Sequence, residues 1–231
     1  MGWRLHLQAD PYTTKLLEKQ YRGQTQLMLG HEADGTLYAS GTRFADCQNA
    51  QTALAEARKV ASELTAMARV LDPSASAVVS MDRVRDDTRA DGFATVFSQR
   101  SIRWRTGVEP ASQPPSSVGD ISRLADRDPD YAAALALFGK PGEPDAVLLY
   151  KVFEFLKRSA GGSEKAFLQR SGWSKQELRT LTGSLNHPDV LGAGARHAVL
   201  PGGTPRHSWT LAQCAQRLAE LIRRWPSESA T

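Results

Sequence analysis

The sequence predicts an α+β protein in two parts: an N-terminal antiparallel sheet with one long packed helix, followed by a C-terminal all-α bundle. Three observations carry this. Short alternating runs dominate residues 1–107, with a single long stretch of helical period among them. Helix-period patterns with capping signatures fill residues 120–226. Between them, residues 108–119 hold three prolines and three serines without apolar periodicity. Proline fixes φ, so this stretch reads as a semi-extended linker and marks the domain boundary.

In the first part, Trp3-Arg4-Leu5-His6-Leu7 alternates with period two, as a strand with one buried face does. Residues 25–29 and 36–42 flank Ala33-Asp34-Gly35, and an Asp-Gly pair between strand-like runs signals a hairpin. The period then changes. Over residues 51–71, Leu54, Ala57, Val60, Ala61, Leu64, Ala68 and Leu71 form one helical stripe, with alanines that allow close approach to a sheet. Asp72-Pro73 ends it. Strands follow at residues 77–81, 93–99 and 102–105, with Asp91-Gly92 as a turn. The predicted order is β-β-β-α-β-β-β.

In the second part, residues 130–138 make a short alanine-rich helix closed by Gly139-Lys140-Pro141-Gly142. Asp145 can N-cap a helix running to about Arg158, whose apolar residues cover most of its circumference and mark it as central. Gly161-Gly162 separates it from a helix over 163–170. Ser174-Lys175-Gln176-Glu177 is a capping box, so a helix starts there and runs to about Leu185. Thr210-Leu211-Ala212-Gln213 repeats the device and opens a last amphipathic helix with Leu211, Cys214, Ala215, Leu218, Leu221 and Ile222 inward, stopped by Pro226.

Composition narrows the function classes. The chain is 231 residues long, 41% hydrophobic and 23% charged, which is a globular composition rather than a disordered one. No apolar run approaches a membrane span, and Met1-Gly2-Trp3-Arg4-Leu5-His6 lacks the apolar core of a secretory signal. Cys47 and Cys214 lie far apart and read as reduced thiols, which points to the cytoplasm. The net charge of +4 is unevenly spread: residues 151–225 carry +7, whereas residues 119–150 carry −3. Such asymmetry favours an anionic partner for the basic segment, either nucleic acid or an acidic protein.

The block from Asn186 to His197 concentrates that charge between two helices, in the kind of framed loop where binding and chemistry are usually carried. Lys175, Arg179, Asn186, Arg196, His197, Arg206 and His207 form the candidate anion- or nucleic-acid-binding set. Arg grips phosphate in two-pronged fashion, His titrates near neutral pH, and Trp209 offers a ring. A bland alternative has Arg196 capping a helix C-terminus or pairing with Glu177, and His197 packing at the edge of the core. His197 is the one candidate for catalysis, as acid or base in a metal-independent RNA cleavage. His187, His197 and His207 lack the closely spaced pairs of compact metal sites, and no Gly-rich phosphate loop is present, so neither metal nor cofactor is expected. In the first part, Ile102-Arg103-Trp104-Arg105 would place two Arg on one strand face.

Leu149-Tyr150-Lys151-Val152-Phe153-Glu154, Asn186-His187-Pro188 and Gly192-Ala193-Gly194-Ala195-Arg196-His197-Ala198 resemble a C-terminal helical module of uncharacterised bacterial cytosolic proteins, over residues 127–225. The resemblance implies a small helical domain and brings no activity with it. A more distant similarity is to HEPN-type helical ribonucleases, whose signature sets His four to six residues after Arg on one helix. Arg179 to His187 is longer than that and Arg196-His197 shorter. The expectation is therefore a non-enzymatic bacterial cytoplasmic binding protein whose basic helical domain contacts nucleic acid or an acidic partner. The alternatives are an RNA-cleaving effector centred on Arg196-His197 and a protein-binding or assembly scaffold.

Overall fold

A computed structural model of the chain describes residues 2–72, 79–87, 94–96, 118–140, 145–191, 195 and 207–226. The chain divides into two units, residues 1–68 with 75–109, and residues 69–74 with 110–231. The expected turn at Asp91-Gly92, the strand at 102–105 and residues 108–117 of the linker lie outside the described residues. Val118 and Gly119, read from sequence as the end of the linker, already belong to a helix.

The first unit is α+β, as its alternation predicts, but it contains a helix that the strand count did not include. After β1 (Trp3–Gln8), helix α1 runs over Pro11–Tyr21. Its start is local chemistry: the Asp10 carboxylate accepts from the amides of Tyr12 and Thr13, and Pro11 supplies a preset helical φ where no amide is needed. β2 (Met28–His31) and β3 (Leu37–Ser40) form the expected hairpin. Its turn is closed by the Gly35 amide donating to the Glu32 carbonyl and the Glu32 amide to the Thr36 carbonyl, each at 2.9 Å. Helix α2 (Ala50–Leu71) matches the predicted long helix. Its buried side includes Ala53, Ala57, Val60 and Leu64, with Ala53 taking the position expected of Leu54. β4 spans Ser80–Asp86 rather than 77–81, and β5 spans Ala94–Val96.

The strands lie in the order β2-β3-β1-β4-β5, and every neighbouring pair is antiparallel. The first four strands and two helices, β-α-β-β-α-β in sheet order 4-1-3-2, have the topology of the split β-α-β or ferredoxin-like arrangement, with β5 added at the edge. Leu5, Ala39 and Val84 are directly paired across three strands and buried, so they mark the core face. By alternation the opposite face carries Arg4, His6, Tyr38, Arg83 and Arg85.

The second unit is helical: α3 (Val118–Arg127), α4 (Pro129–Phe138), α5 (Ala146–Ser159), α6 (Glu164–Ser171), α7 (Lys175–Asn186), the single turn α8 (Pro188–Leu191) and α9 (Leu211–Arg224). α5 occupies the centre, packing on α4, α6, α7 and α9 through Leu149, Val152, Phe153 and Leu156. Val147, one of the apolar residues of α5, is exposed. The indole of Trp225, past the end of α9, is buried and donates to the Ser159 hydroxyl at 2.8 Å. The Tyr131 hydroxyl donates to the carbonyl of Ile222 at 2.9 Å. No helix among the described residues is long and apolar enough to cross a membrane.

Candidate functional site

Helix α7 begins as its sequence requires. The Ser174 hydroxyl accepts from the Glu177 amide at 3.2 Å, and the Glu177 carboxylate accepts from the Ser174 amide at 2.9 Å. The same carboxylate pairs with Arg217 of α9, which also reaches Glu220 at 3.2 Å. The hydrogen bond from the Ser174 amide, reinforced by Arg217, holds the Glu177 carboxyl below the usual range. Glu177 is thus engaged by Arg217, a residue 40 positions away that no local pattern in the sequence connects to it.

Lys175 and Arg179 are exposed on α7, and Asn186 is half-buried at its last position. Spacings of four and seven set the three along one side of the helix, with the half-buried Thr182 and Gly183 between Arg179 and Asn186. The Oδ1 atom of Asn186 is buried and has no hydrogen-bond partner among the described residues. Two exposed cations and the half-buried Asn186 therefore share one side of the helix, Lys175 at its start and Asn186 at its end.

The chain leaves α7 at His187, whose amide donates to the Gly183 carbonyl at 3.0 Å, and makes the turn of α8. It returns at Trp209, whose amide donates to the buried Ser184 hydroxyl at 2.7 Å. Both ends of the intervening segment are therefore fixed to the last turns of α7. The Trp209 ring meets Trp173 edge-on at 6.1 Å, and the Arg217 guanidinium lies over it at 5.4 Å. That contact covers ring surface read from sequence as a stacking platform. Among the predicted site residues, Lys175, Arg179, Asn186 and the exposed His207 fall within the described structure. Arg196, His197 and Arg206 lie outside it.

Neither cysteine is in a disulfide. Burial on the inner side of α9 pushes the Cys214 thiol up to about 12, which suits a core residue and not a nucleophile.

A second polar cluster, on the face of the first unit's sheet opposite its core, was missed in the sequence. Arg4 bridges Glu32 at 2.9 Å and Asp87 at 2.5 Å, and its guanidinium lies 4.8 Å from the centre of the Tyr38 ring. Gly30 makes room for that ring: a Cβ there would sit 2.8 Å from its outer end. His6, alternating with Leu5 and Leu7, was expected on a solvent face; it is 1% exposed. Period-two alternation correctly sets it opposite the core leucines but does not reveal the long side chains around it.

No family model matches this chain, and searches among curated proteins and solved structures returned no match.

Proposed function

We propose that this protein binds nucleic acid through the second unit, using the exposed edge of α7 together with the basic segment that follows it. The observation that carries the reading is the closure of that segment on one helix, by the Trp209 amide on Ser184 at one end and the α7 cap at His187 at the other. That segment carries Arg196, His197, Arg206 and His207, and follows Asn186 at the end of the helix whose exposed side also bears Lys175 and Arg179.

Each group has a physical role in the proposal. Lys175 and Arg179 supply phosphate contacts, the sequence-independent part of the affinity. Arg196 and Arg206 add two-pronged contacts from the loop. Asn186, with its unfilled Oδ1, offers an acceptor to a base amine or a sugar hydroxyl. The +7 charge of residues 151–225 supplies the long-range attraction. The unpaired cysteines accord with a reducing compartment, and the cytoplasm is the location we assign to this activity.

The test is fluorescence anisotropy with labelled single-stranded RNA, single-stranded DNA and duplex DNA across a salt series. Binding that weakens steeply with salt and drops in Arg179→Ala and Arg196→Ala supports the reading. Shortening of the RNA in the same samples, abolished by His197→Ala, would replace it with cleavage.

A further inference from the structure

The most unusual group in the first unit is His6. Its ring is 1% exposed, yet among the described residues neither nitrogen has a hydrogen-bond partner, and the closest carboxylate oxygen, on Glu32, is 3.7 Å from Nε2. A buried imidazole without partners costs stability unless something else fills its donor and acceptor. Directly across β1 and β4 from it stands Arg83, whose Nε is likewise buried without a hydrogen-bond partner among the described residues. Two residues further along β4, Arg85 projects from the same face, within reach of a common ligand.

The charges around these groups are not equivalent. Glu32 and Asp87 are engaged by Arg4. Arg83 and Arg85, 39% and 48% exposed, find their closest carboxylates at 3.9 and 3.7 Å, beyond hydrogen-bond range. Asp82 accepts instead from Gln8 at 3.3 Å. What remains, among the described residues, are two guanidinium groups held only in long ion pairs and one imidazole N–H without an acceptor. That set complements a tetrahedral oxyanion.

We propose that the face of the sheet opposite its core binds a phosphate group, held by Arg83 and Arg85 of β4 and by the His6 imidazole of β1. The phosphate is recognised as such, whether free or carried by a nucleotide or a nucleic-acid strand. All three residues belong to the first unit, and the proposal does not rest on the reading of α7. Burial, with Arg83 adding to it, holds His6 below its ordinary value and so neutral. A bound dianion at hydrogen-bond distance reverses the electrostatic part of that effect and favours the imidazolium.

The experiment uses the full chain labelled with ¹⁵N, following the His6 ring and the Nε–H signals of Arg83 and Arg85. The probes are inorganic phosphate, adenosine monophosphate, a short single-stranded oligonucleotide, and sulfate, whose charge stays fixed between pH 5 and 8. The expected result is that phosphate shifts all three side chains and that saturating sulfate raises the His6 pKa by roughly one unit. By linkage, sulfate then binds about tenfold tighter to protonated than to neutral His6. Arg83→Gln and Arg85→Gln should each weaken phosphate binding about tenfold. His6→Gln, which keeps an N–H donor, should retain binding but lose its pH dependence. Movement with phosphate alone assigns a free-anion site; movement only with the nucleotide or oligonucleotide assigns a phosphoester. If none of the four probes moves His6 or Arg83, or if the Arg83→Gln/Arg85→Gln double variant binds phosphate unchanged, the proposal is overturned. Arg196→Ala, outside this unit, should leave the shifts as they are, so failure here and failure of the α7 reading give different patterns.

Discussion

The backbone amide of Trp209 donates to the hydroxyl of Ser184 at 2.7 Å, across 25 residues of sequence, and Ser184 is fully buried. This bond ties Trp209, just before α9, to the last turns of α7. Ser184→Ala should leave the Trp209 amide without its partner and cost about 1–3 kcal/mol in chemical denaturation. It should also weaken nucleic-acid binding more than that loss of stability accounts for, because the loop's return point is released. Binding unchanged in a folded Ser184→Ala protein would separate the loop from the function.

The capping box of α7 is a second point of leverage. Ser174→Ala removes the acceptor of the Glu177 amide, and the expected loss is about 0.5–2 kcal/mol. Glu177→Gln keeps an acceptor for the Ser174 amide but removes the ion pair with Arg217, a partly exposed interaction worth at most about 1 kcal/mol. Ser174→Ala should therefore be the more damaging of the two in thermal unfolding. The reverse order would mean that the pair with Arg217, and not the cap, holds α7.

Two histidines of the first unit should titrate in opposite directions. His6 is held below its ordinary value near 6.5, chiefly by burial. Between its folded pKa and 6.5 the unfolded chain binds the extra proton, so its effect on stability is lost as pH falls below about 6.5. His31 is raised, first by its hydrogen bond with the Gly35 carbonyl at 3.0 Å and then by Glu18 at 2.6 Å. Its stabilisation is complete below about pH 6.5 and is lost as pH rises through its higher folded pKa. Proton NMR titration of the two ring signals checks this: the midpoints should fall on either side of 6.5, and coincident midpoints would contradict the packing described for His6.

Gly41 should be among the least replaceable residues of the first unit. Its φ is +137°, and a Cβ there would lie 2.3 Å from the carbonyl oxygen of Gln26. Gly41→Ala should cost several kcal/mol, on the order of 3 or more, by combining left-handed strain with a backbone clash. Gly35→Ala, at φ +83° with open space around it, carries only the conformational part, about 1 kcal/mol. Equal losses for the two in urea unfolding would refute the clash at Gly41.

Much of this fold is written in local chemistry. The Ser174 and Thr210 capping boxes, the Asp145 cap and the Asp34-Gly35 turn are short-range signals, and each stands where its residues predict. α1 was legible too: Asp10-Pro11 is a helix start, overlooked because the strand-like runs on either side dominate the pattern. β4 was misplaced because Asp82-Arg83-Val84-Arg85-Asp86 is polar on one face and short of apolar residues on the other, so alternation alone gave little signal. The site divides in the same way. Lys175, Arg179 and Asn186 follow from helical spacing, whereas the Glu177–Arg217 pair, the Ser184–Trp209 closure and the burial of His6 join residues distant in sequence. No periodicity encodes such contacts; they arise from packing.

The most direct measurement of the central claim is the salt dependence of nucleic-acid binding by the intact protein and by Lys175→Ala, Arg179→Ala and Arg196→Ala. Each neutralised phosphate contributes about −0.7 to the slope of log affinity against log salt for a single strand and about −0.9 for duplex DNA. Each alanine variant should make that slope shallower by about one contact, whereas Lys151→Ala, on exposed α5 surface, should leave it unchanged. Absence of binding to RNA and DNA at ~50 mM salt, or slopes identical in the intact protein and all three variants, would contradict the account.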